Sequence, residues 1–212
     1  MRPPAGKSGA PSARRRRAVE AMGTAAAAIG PIERGTSVFL LTRGQFSMLD
    51  MVVHVLNELG PSAVSVWTWA IADYEVEAMY GFMGSKLITS ARLVVDRSAE
   101  TNRTRAIEDW RRKFGEASVR VCKNHAKIAR VWNAERRVLL RGSMNLNFNP
   151  RFEQADITEG GEDFDLVESI EDALPVLPVN CSNEAADAAS GLTRVFAPGD
   201  LQLFGAVKTW AK

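Results

Sequence analysis

The chain has 212 residues, of which 46% are hydrophobic and 25% are charged, as is ordinary for a globular protein with one sizeable core. No apolar run approaches the roughly 18–20 residues that span a bilayer, so the sequence predicts no membrane segment. Residues 1–150 carry 23 Lys and Arg against 13 Asp and Glu, whereas residues 151–212 carry 4 against 12. The basic part indicates a polyanionic partner, although such charges also serve solubility alone.

Residues 1–36 are rich in Pro, Gly, Ser and Arg and then in Ala, a composition that predicts a disordered, basic N-terminal segment. Four arginines form the run Arg14–Arg17, and the apolar stretch behind them is interrupted by Glu20 and Gly23. These interruptions argue against a signal peptide. Clustered arginines neutralise phosphates, so a nucleic-acid-binding arm is the favoured interpretation.

Regular hydrophobic periodicity begins at residue 37 and alternates between strands and helices. The predicted strands are Val38–Thr42, Ala63–Ile71, Ala91–Val95, Ser118–Val121, Ala126–Trp132 and Val138–Arg141. The predicted helices are Met48–Leu59, Asp73–Met83 and Thr104–Phe114. This alternation predicts an α/β domain over residues 37–180, in which helices flank a largely parallel sheet with at least one antiparallel strand. Residues 181–212 are expected to be a tail or helix, with Asn183–Ala189 helical, that packs on this domain.

The two cysteines, Cys122 and Cys181, give no zinc-binding spacing and no disulfide framework. We expect reduced, structural thiols, which fits a cytoplasmic protein. His, Cys, Asp and Glu do not cluster at metal-ligand spacing either. The sequence therefore predicts neither a metal nor another cofactor.

The most informative segment begins with His125 and Lys127, which project from one face if these residues form a strand. Lysine suits a phosphate oxygen, and an imidazole can act as a nucleophile or as a general acid and base near neutral pH. After fourteen residues, Gly142 allows a close backbone approach, and Ser143 and Asn145 supply neutral donors. The two pairs would converge on one phosphate pocket if the strands between them form a hairpin.

This pattern, His-x-Lys followed by Gly-Ser-x-Asn, resembles the HKD motif of the phospholipase D superfamily, and the upstream order of strands and helices is similar to that fold. The resemblance implies that His125 attacks phosphorus to form a phosphohistidine, while Lys127 and Asn145 bind the phosphate and Ser143 supports them. Glu153 lies where many members keep a glutamate near the second histidine. The reaction that the resemblance implies needs no metal.

The chain departs from the family's pattern in two ways. The aspartate that follows the lysine by five residues in the family is replaced by Trp132, which weakens the case for full activity. The family's site also uses two motifs, with one histidine as nucleophile and one as general acid. This chain has one motif, and its other histidine, His54, has no lysine two residues on, so we interpret it as structural. A homodimer is therefore expected to complete the site.

Basic residues surround the motif: Arg120, Lys123, Arg130, Arg136, Arg137 and Arg141. Beside a phosphate site they favour a nucleic-acid backbone, DNA or RNA, over a lipid interface. Lys123 and Arg141 therefore join Ser143 as predicted substrate-binding residues. Solvated strand edges often carry such charges as well, so part of this set can be merely structural.

Three functions fit these residues. The first is a metal-independent nuclease that acts as a homodimer through a phosphohistidine. The second is a nucleic-acid-binding module that keeps the fold without turnover, which Trp132 favours. A phospholipid-processing enzyme is a weaker third, because such enzymes usually carry both motifs in one longer chain. Trp67, Trp69 and Trp132 are expected to lie in the core rather than to stack on bases.

Overall fold

Strands and helices alternate from residue 15 to residue 114 in the computed structural model, and four consecutive strands and two helices follow. The structure describes residues 15–98, 104–148, 150–178 and 181–191. The strands are β1 (Arg15–Glu20), β2 (Thr36–Thr42), β3 (Ser62–Thr68), β4 (Ile88–Asp96), β5 (Val119–Cys122), β6 (Ile128–Trp132), β7 (Arg137–Gly142) and β8 (Glu153–Glu159). The α-helices with described bounds are α1 (Ala25–Ile29), α2 (Met48–Leu59), α3 (Asp73–Gly84), α4 (Thr104–Phe114), α5 (Glu162–Ala173) and α6 (Asn183–Ser190).

All eight strands form one sheet in the order β1-β2-β8-β7-β6-β3-β4-β5. β1 pairs in parallel with β2, and β4 pairs in parallel with β3 and β5, whereas β6 and β8 are antiparallel to both of their neighbours. Only β6 and β8 therefore run against the direction of the other strands. This confirms the predicted class, an α/β protein whose sheet is flanked by helices. The sheet is mixed rather than largely parallel, since four of its seven described strand pairs are antiparallel. The strands share two ends. At one of them, called the carboxyl edge below, six strands end and β6 and β8 begin.

The two faces of the sheet are covered differently, as β3 illustrates. Val64 and Val66 lie in the main apolar core, which the sheet shares with helices α1 to α4. Ser65 and Trp67 lie on the other face, where both side chains donate hydrogen bonds to Glu171 of α5. The strand is buried on both faces, which explains its nearly continuous run of small and apolar residues.

Helices α2 and α4 have the bounds predicted from the sequence, and α2 shows why. Ser47 and Asp50 form a reciprocal capping box at its start, in which each side chain accepts a hydrogen bond from the other's backbone N–H. At its end Gly60 adopts a φ of 77°, a conformation that glycine takes without strain. Both signals can be read from the sequence, and together they fix the helix.

The prediction that residues 1–36 are disordered is wrong for those that the structure describes. Residues 15–20 form edge strand β1, and residues 25–29 form α1, whose Ala25 and Ile29 are buried in the main core. The guanidinium of Arg17 donates a hydrogen bond to the carbonyl of Ile29 and ties the two elements together. Part of the arginine run therefore belongs to the sheet, and residues 1–14 lie outside the described ranges.

The chain after Glu153 is more regular than the sequence indicated. It forms β8, which fills the sheet between β2 and β7, and then α5, which begins with Glu162, Asp163 and Asp165 where the helix dipole favours acids. The expected C-terminal helix is present as α6, with Ala186 buried, and residues 192–212 lie outside the described ranges. In the described ranges, no helix is long and apolar enough to cross a membrane.

Candidate phosphate site at the carboxyl edge

The predicted motif residues lie at the carboxyl edge of the sheet because the relevant strands begin or end there. β6 and β8 start at this edge, beside the loops that follow β3, β5 and β7. Loops at this end of an α/β sheet are the usual place for a ligand. Five predicted residues form what we call the edge cluster: His125, Lys127, Ser143, Asn145 and Glu153.

His125 and Lys127 face each other just before β6, which starts at Ile128 rather than at the predicted Ala126. The Lys127 ammonium lies 3.0 Å from His125 Nδ1 and 3.3 Å from Nε2, and it also donates to the His125 carbonyl at 2.7 Å. The imidazole is exposed, whereas Lys127 is only 8% exposed. An accessible ring nitrogen therefore stands beside a buried positive charge.

Burial lowers the pKa of Lys127 because it disfavours the charged ammonium, and the negative charge of Glu153 partly opposes this shift. Glu153 also accepts a hydrogen bond from the Ser143 hydroxyl. The Ser143 hydroxyl oxygen accepts one in turn from the backbone N–H of Gln154 at 3.0 Å. The carboxylate thus acts on the lysine through charge and holds the serine directly.

Gly142 is required by the close approach of two strands. A Cβ built on this residue would lie 2.1 Å from the carbonyl oxygen of Gln154 and 2.9 Å from the Cα of Ala155, both in the backbone of β8. The Gly142 N–H also donates to the Lys127 carbonyl at 3.0 Å. The missing side chain therefore lets β7 bring Ser143 to β8 and keeps it beside the lysine.

Asn145 is held by the loop that follows β3. Its Oδ1 accepts hydrogen bonds from the Trp69 N–H at 3.3 Å and from the Thr68 hydroxyl at 3.4 Å. The Thr68 hydroxyl oxygen accepts one from the Leu146 N–H at 2.9 Å. Because the protein holds the oxygen of the amide, the NH2 group is the half that can donate to an anion.

Two residues at this edge, Trp69 and Asn124, were not predicted as part of the site. The Trp69 ring lies 5.9 Å from the His125 ring at 45°, and it is 44% exposed, so its predicted place in the core is wrong. Asn124 is 5% exposed, and its backbone N–H donates to Asp96 at 2.9 Å. Its side chain donates to the Thr68 carbonyl at 3.2 Å. Asn124 follows the predicted strand Ser118–Val121, and this is the one sequence signal that could have found it. Trp69 falls inside the predicted strand Ala63–Ile71, so the sequence gives no such signal for it.

An open pocket beside His125 is lined by Asp96, Arg97, Ser98, Lys123, Asn124, His125 and Asn183. Lys123 is half-exposed there and forms an ion pair with Asp187 of α6 at 2.7 Å. Arg141, the other predicted binding residue, forms an ion pair with Asp163 of α5 at 3.0 Å. Lys123 therefore lines the pocket beside His125, whereas Arg141 forms its ion pair with helix α5.

Most of the remaining basic residues near the motif lie elsewhere, so the predicted basic lining is wrong for them. Arg130 is buried beneath α5 between Glu168 and Glu171, at 3.0 and 3.1 Å. Arg136 and Arg137 lie at the turn between β6 and β7, at the opposite edge of the sheet. Sequence proximity placed them near His125, but β6 carries the chain across the sheet.

Trp132, at the position of the family's aspartate, also lies at that opposite edge. β6 rises about 3.3 Å per residue, so Trp132 is about 13 Å beyond Ile128. Its ring packs against Phe164 at 6.2 Å and lies 4.6 Å from the guanidinium of Arg130. The tryptophan therefore replaces nothing that contacts His125, and the exchange leaves the edge cluster unchanged.

His54 is 8% exposed within α2, where its Nε2 lies 2.8 Å from the Gly30 carbonyl oxygen. This contact joins α2 to the end of α1 and agrees with a structural role. In the ranges that the structure describes, no group of three or more His, Cys, Asp or Glu side chains is arranged to hold a metal ion. Cys122 and Cys181 are buried free thiols.

No protein-family model matches the sequence, and no curated protein matches it either. Among solved structures, the polyphosphate kinase from Porphyromonas gingivalis is similar to this chain with a TM-score of 0.43 and 19% sequence identity. The similarity covers 65% of this chain and 25% of the kinase chain, so this chain spans about a quarter of that protein. A likeness of this size does not bear on activity.

Proposed function

We propose that the protein is a metal-independent phosphodiesterase of the phospholipase D type, a cytoplasmic nuclease that acts as a homodimer. The observation that carries the proposal is the exposed imidazole of His125 with the Lys127 ammonium 3.0 Å from its Nδ1. A buried cation beside an accessible nitrogen suits the attack of that nitrogen on a phosphate whose charge the lysine offsets. The amide NH2 group of Asn145 adds a neutral donor to the same site, whereas the Ser143 hydroxyl donates to Glu153 and so positions that carboxylate.

The reaction that this site supports has two steps. A ring nitrogen of His125 attacks phosphorus, a P–N bond forms, and the P–O bond to the leaving group breaks as that oxygen takes a proton from a second histidine. Water then attacks the phosphohistidine and gives its proton to the second histidine, the P–N bond breaks, and His125 is restored. The chain brings one histidine to the edge cluster, so a two-fold dimer would supply the second from the other copy.

Nucleic acid is the favoured substrate because Lys123 lines the pocket beside His125 and Lys127 lies against the His125 ring, and both carry positive charges suited to a phosphate backbone. A non-catalytic nucleic-acid-binding module is the second candidate. It is favoured by the single histidine of the edge cluster, since a lone copy lacks the acid that the leaving group needs. Hydrolysis of a phosphodiester in EDTA separates the two candidates.

The test measures hydrolysis of bis(4-nitrophenyl) phosphate and of labelled DNA and RNA strands in EDTA. We expect turnover by the wild type, no detectable turnover by His125→Ala, and retained turnover by His54→Gln, the matched change at the other histidine. Circular dichroism checks that both variants fold. Undiminished turnover in His125→Ala, or a strict need for Mg²⁺ or Zn²⁺, would contradict the mechanism. If a wild-type dimer binds nucleic acid without turnover, only the second candidate, the binding module, remains.

A further inference from the structure

Exposed aromatic side chains are concentrated around the edge cluster. In the described part of the chain five aromatic residues are exposed, and four of them lie at or beside the carboxyl edge. These four, called the aromatic rim below, are Trp69 (44% exposed), Tyr74 (74%), Phe148 (57%) and Phe152 (66%). The fifth, Tyr80, packs its ring against Phe114 at the other end of α3. Exposed aromatic rings lose the free energy of burial, so their grouping at one site calls for a partner.

Trp69 and Phe148 lie on two loops that run side by side. Ile71 and Leu146 form a β-bridge between the loop after β3 and the loop after β7. The N–H of Phe148 donates to the buried carboxylate of Glu75 at 3.1 Å. Backbone bonds thus fix the positions of both rings while their faces stay open to solvent.

Phe152 lies on the other side of the edge cluster, immediately before Glu153. The guanidinium of Arg43 lies 5.4 Å from the centre of its ring. Gly44, which follows Arg43, approaches the backbone of the loop before β8 very closely. A Cβ on Gly44 would lie 2.5 Å from the Cα of Pro150. The tight contact between these loops holds an aromatic ring and a cation together beside the site.

We propose that the aromatic rim binds unpaired bases, so that the protein selects single-stranded nucleic acid over duplex. In a duplex the faces of the bases are covered by their neighbours, whereas in a single strand they can stack on exposed aromatic rings. Lys127 and Lys123 fit the backbone phosphates, and Trp69, 5.9 Å from His125, is placed for a base beside the phosphate that His125 attacks. This inference rests on the proposed function, since it names the substrate of the same site.

A second copy of the chain fits this surface less well in direct contact. Lys127 and Arg43 give this surface positive charge, and a second copy in direct contact would bring the same charges to it, which repel. The proposed dimer is therefore expected to hold a polyanionic strand between its two edge clusters, which offsets these charges and whose bases can stack on the rings of the rim. The occupant that the charges favour is therefore the nucleic acid.

The experiment measures equilibrium binding by fluorescence anisotropy. The nucleic-acid probes carry phosphorothioate linkages, which resist cleavage, because the proposed turnover needs no metal and would continue in EDTA. The probes are a phosphorothioate oligo(dT) of about 20 nucleotides, a phosphorothioate duplex of the same length, and inorganic polyphosphate as a polyanion without bases. The variants are Trp69→Ala and Phe148→Ala, and Tyr80→Ala is the control because its ring has the same 44% exposure as Trp69. Size-exclusion chromatography with light scattering follows the oligomeric state.

We expect the wild type to bind the single strand more tightly than the duplex. Each rim variant should lose about tenfold in affinity for the single strand, with little change for polyphosphate, and Tyr80→Ala should bind as the wild type does. Equal losses on all three probes, a shift in oligomeric state, or loss of binding to anionic lipid vesicles in the rim variants would overturn the inference. A chain that selects single strands but cleaves nothing refutes only the phosphodiesterase. A chain that cleaves but shows no such selectivity refutes only the rim.

Discussion

Two clusters built from similar residues differ in what encloses them. The Glu171 cluster, beneath α5, consists of Glu171, Ser65, Trp67, Arg92 and Arg130. Glu171 is fully buried, and its oxygens accept from the Ser65 hydroxyl at 2.6 Å, the Trp67 indole at 2.8 Å, Arg92 at 2.8 Å and Arg130 at 3.1 Å. Four donors fill the acceptor capacity of the carboxylate, so no ligand can reach it.

The edge cluster also combines a carboxylate, a hydroxyl and a cation, but it faces solvent. Its imidazole and its serine are exposed, and its glutamate is half-buried. Residue type alone therefore does not separate the structural cluster from the cluster that we propose to be reactive. The two clusters differ in burial and in how many of their polar groups already have hydrogen-bond partners within the protein.

The largest stability effect is expected at the Glu171 cluster. Glu171→Ala leaves Arg130, which is 1% exposed, with a buried charge that has lost its central partner, and the expected cost is about 3–5 kcal/mol in the free energy of unfolding. Urea denaturation measures it. Glu171→Leu combined with Arg130→Met should recover only the part of the loss that comes from the Arg130 charge, because Ser65 and Trp67 still lose their acceptor. A loss below about 1 kcal/mol in Glu171→Ala would show that the enclosed cluster is dispensable.

At the edge cluster we expect substitutions to lower kcat/KM and to leave the free energy of unfolding nearly unchanged. Glu153→Gln and Ser143→Ala should each lower kcat/KM for a phosphodiester by about 10- to 100-fold, equivalent to about 1.4–2.7 kcal/mol in the barrier. Their free energies of unfolding should stay within about 0.5 kcal/mol of the wild type, as for most exposed positions. A large loss of stability with unchanged kcat/KM would erase the distinction between the two clusters.

Lys127 offers a pH test, because burial lowers its pKa below the ordinary 10.5. The folded chain therefore loses this proton at a lower pH than the unfolded chain. Phosphate affinity should fall as pH rises through the lowered pKa of Lys127, with a midpoint below 10.5, while the contribution of this group to stability rises with pH between the folded and the unfolded pKa. Inorganic phosphate binding by calorimetry measures the first effect. Lys127→Arg should bind with little pH dependence, since a guanidinium stays protonated.

The smallest effect concerns Cys122, a potential nucleophile at the end of β5 that the fold encloses. Burial raises the pKa of this thiol to about 11, and the charge of Asp96 adds to the shift. At pH 8 the thiolate fraction should be roughly 200-fold lower than that of an ordinary thiol. Alkylation by iodoacetamide, followed by mass spectrometry, should label Cys122 only after unfolding. Rapid labelling of the native chain would show that β5 opens beside the site.

The sequence predicted those parts of the protein whose signals are local. The apolar stripe and end signals of α2 gave its bounds, and the spacing from His125 to Asn145 located residues that converge at one edge. Trp69 was misplaced because the strand was extended to Ile71, whereas β3 ends at Thr68 and releases the next residue towards His125. A strand boundary cannot be fixed within three residues from alternation alone.

Other errors came from information that lies far away in the chain. Arg130 resembled a surface residue until α5, some forty residues later, covered its face with Glu171. The sequence does not predict β8, because Ala155 and Ile157 are its only buried apolar residues. Its pairing with β2 and β7 decides its conformation. β1 was obscured by arginines, although an edge strand tolerates them. In each case tertiary contacts overrode the local pattern.

The arginines of β1 have a further consequence for the solubility of the protein. β1 is the last strand on its side of the sheet, and such a strand presents backbone donors and acceptors that another chain can extend into a fibre. Arg16 and Arg17 are exposed along it, so an incoming copy in the same register would meet matching positive charges. Arg16 and Arg17, which belong to the run interpreted from the sequence as an arm for nucleic acid, therefore disfavour aggregation through β1.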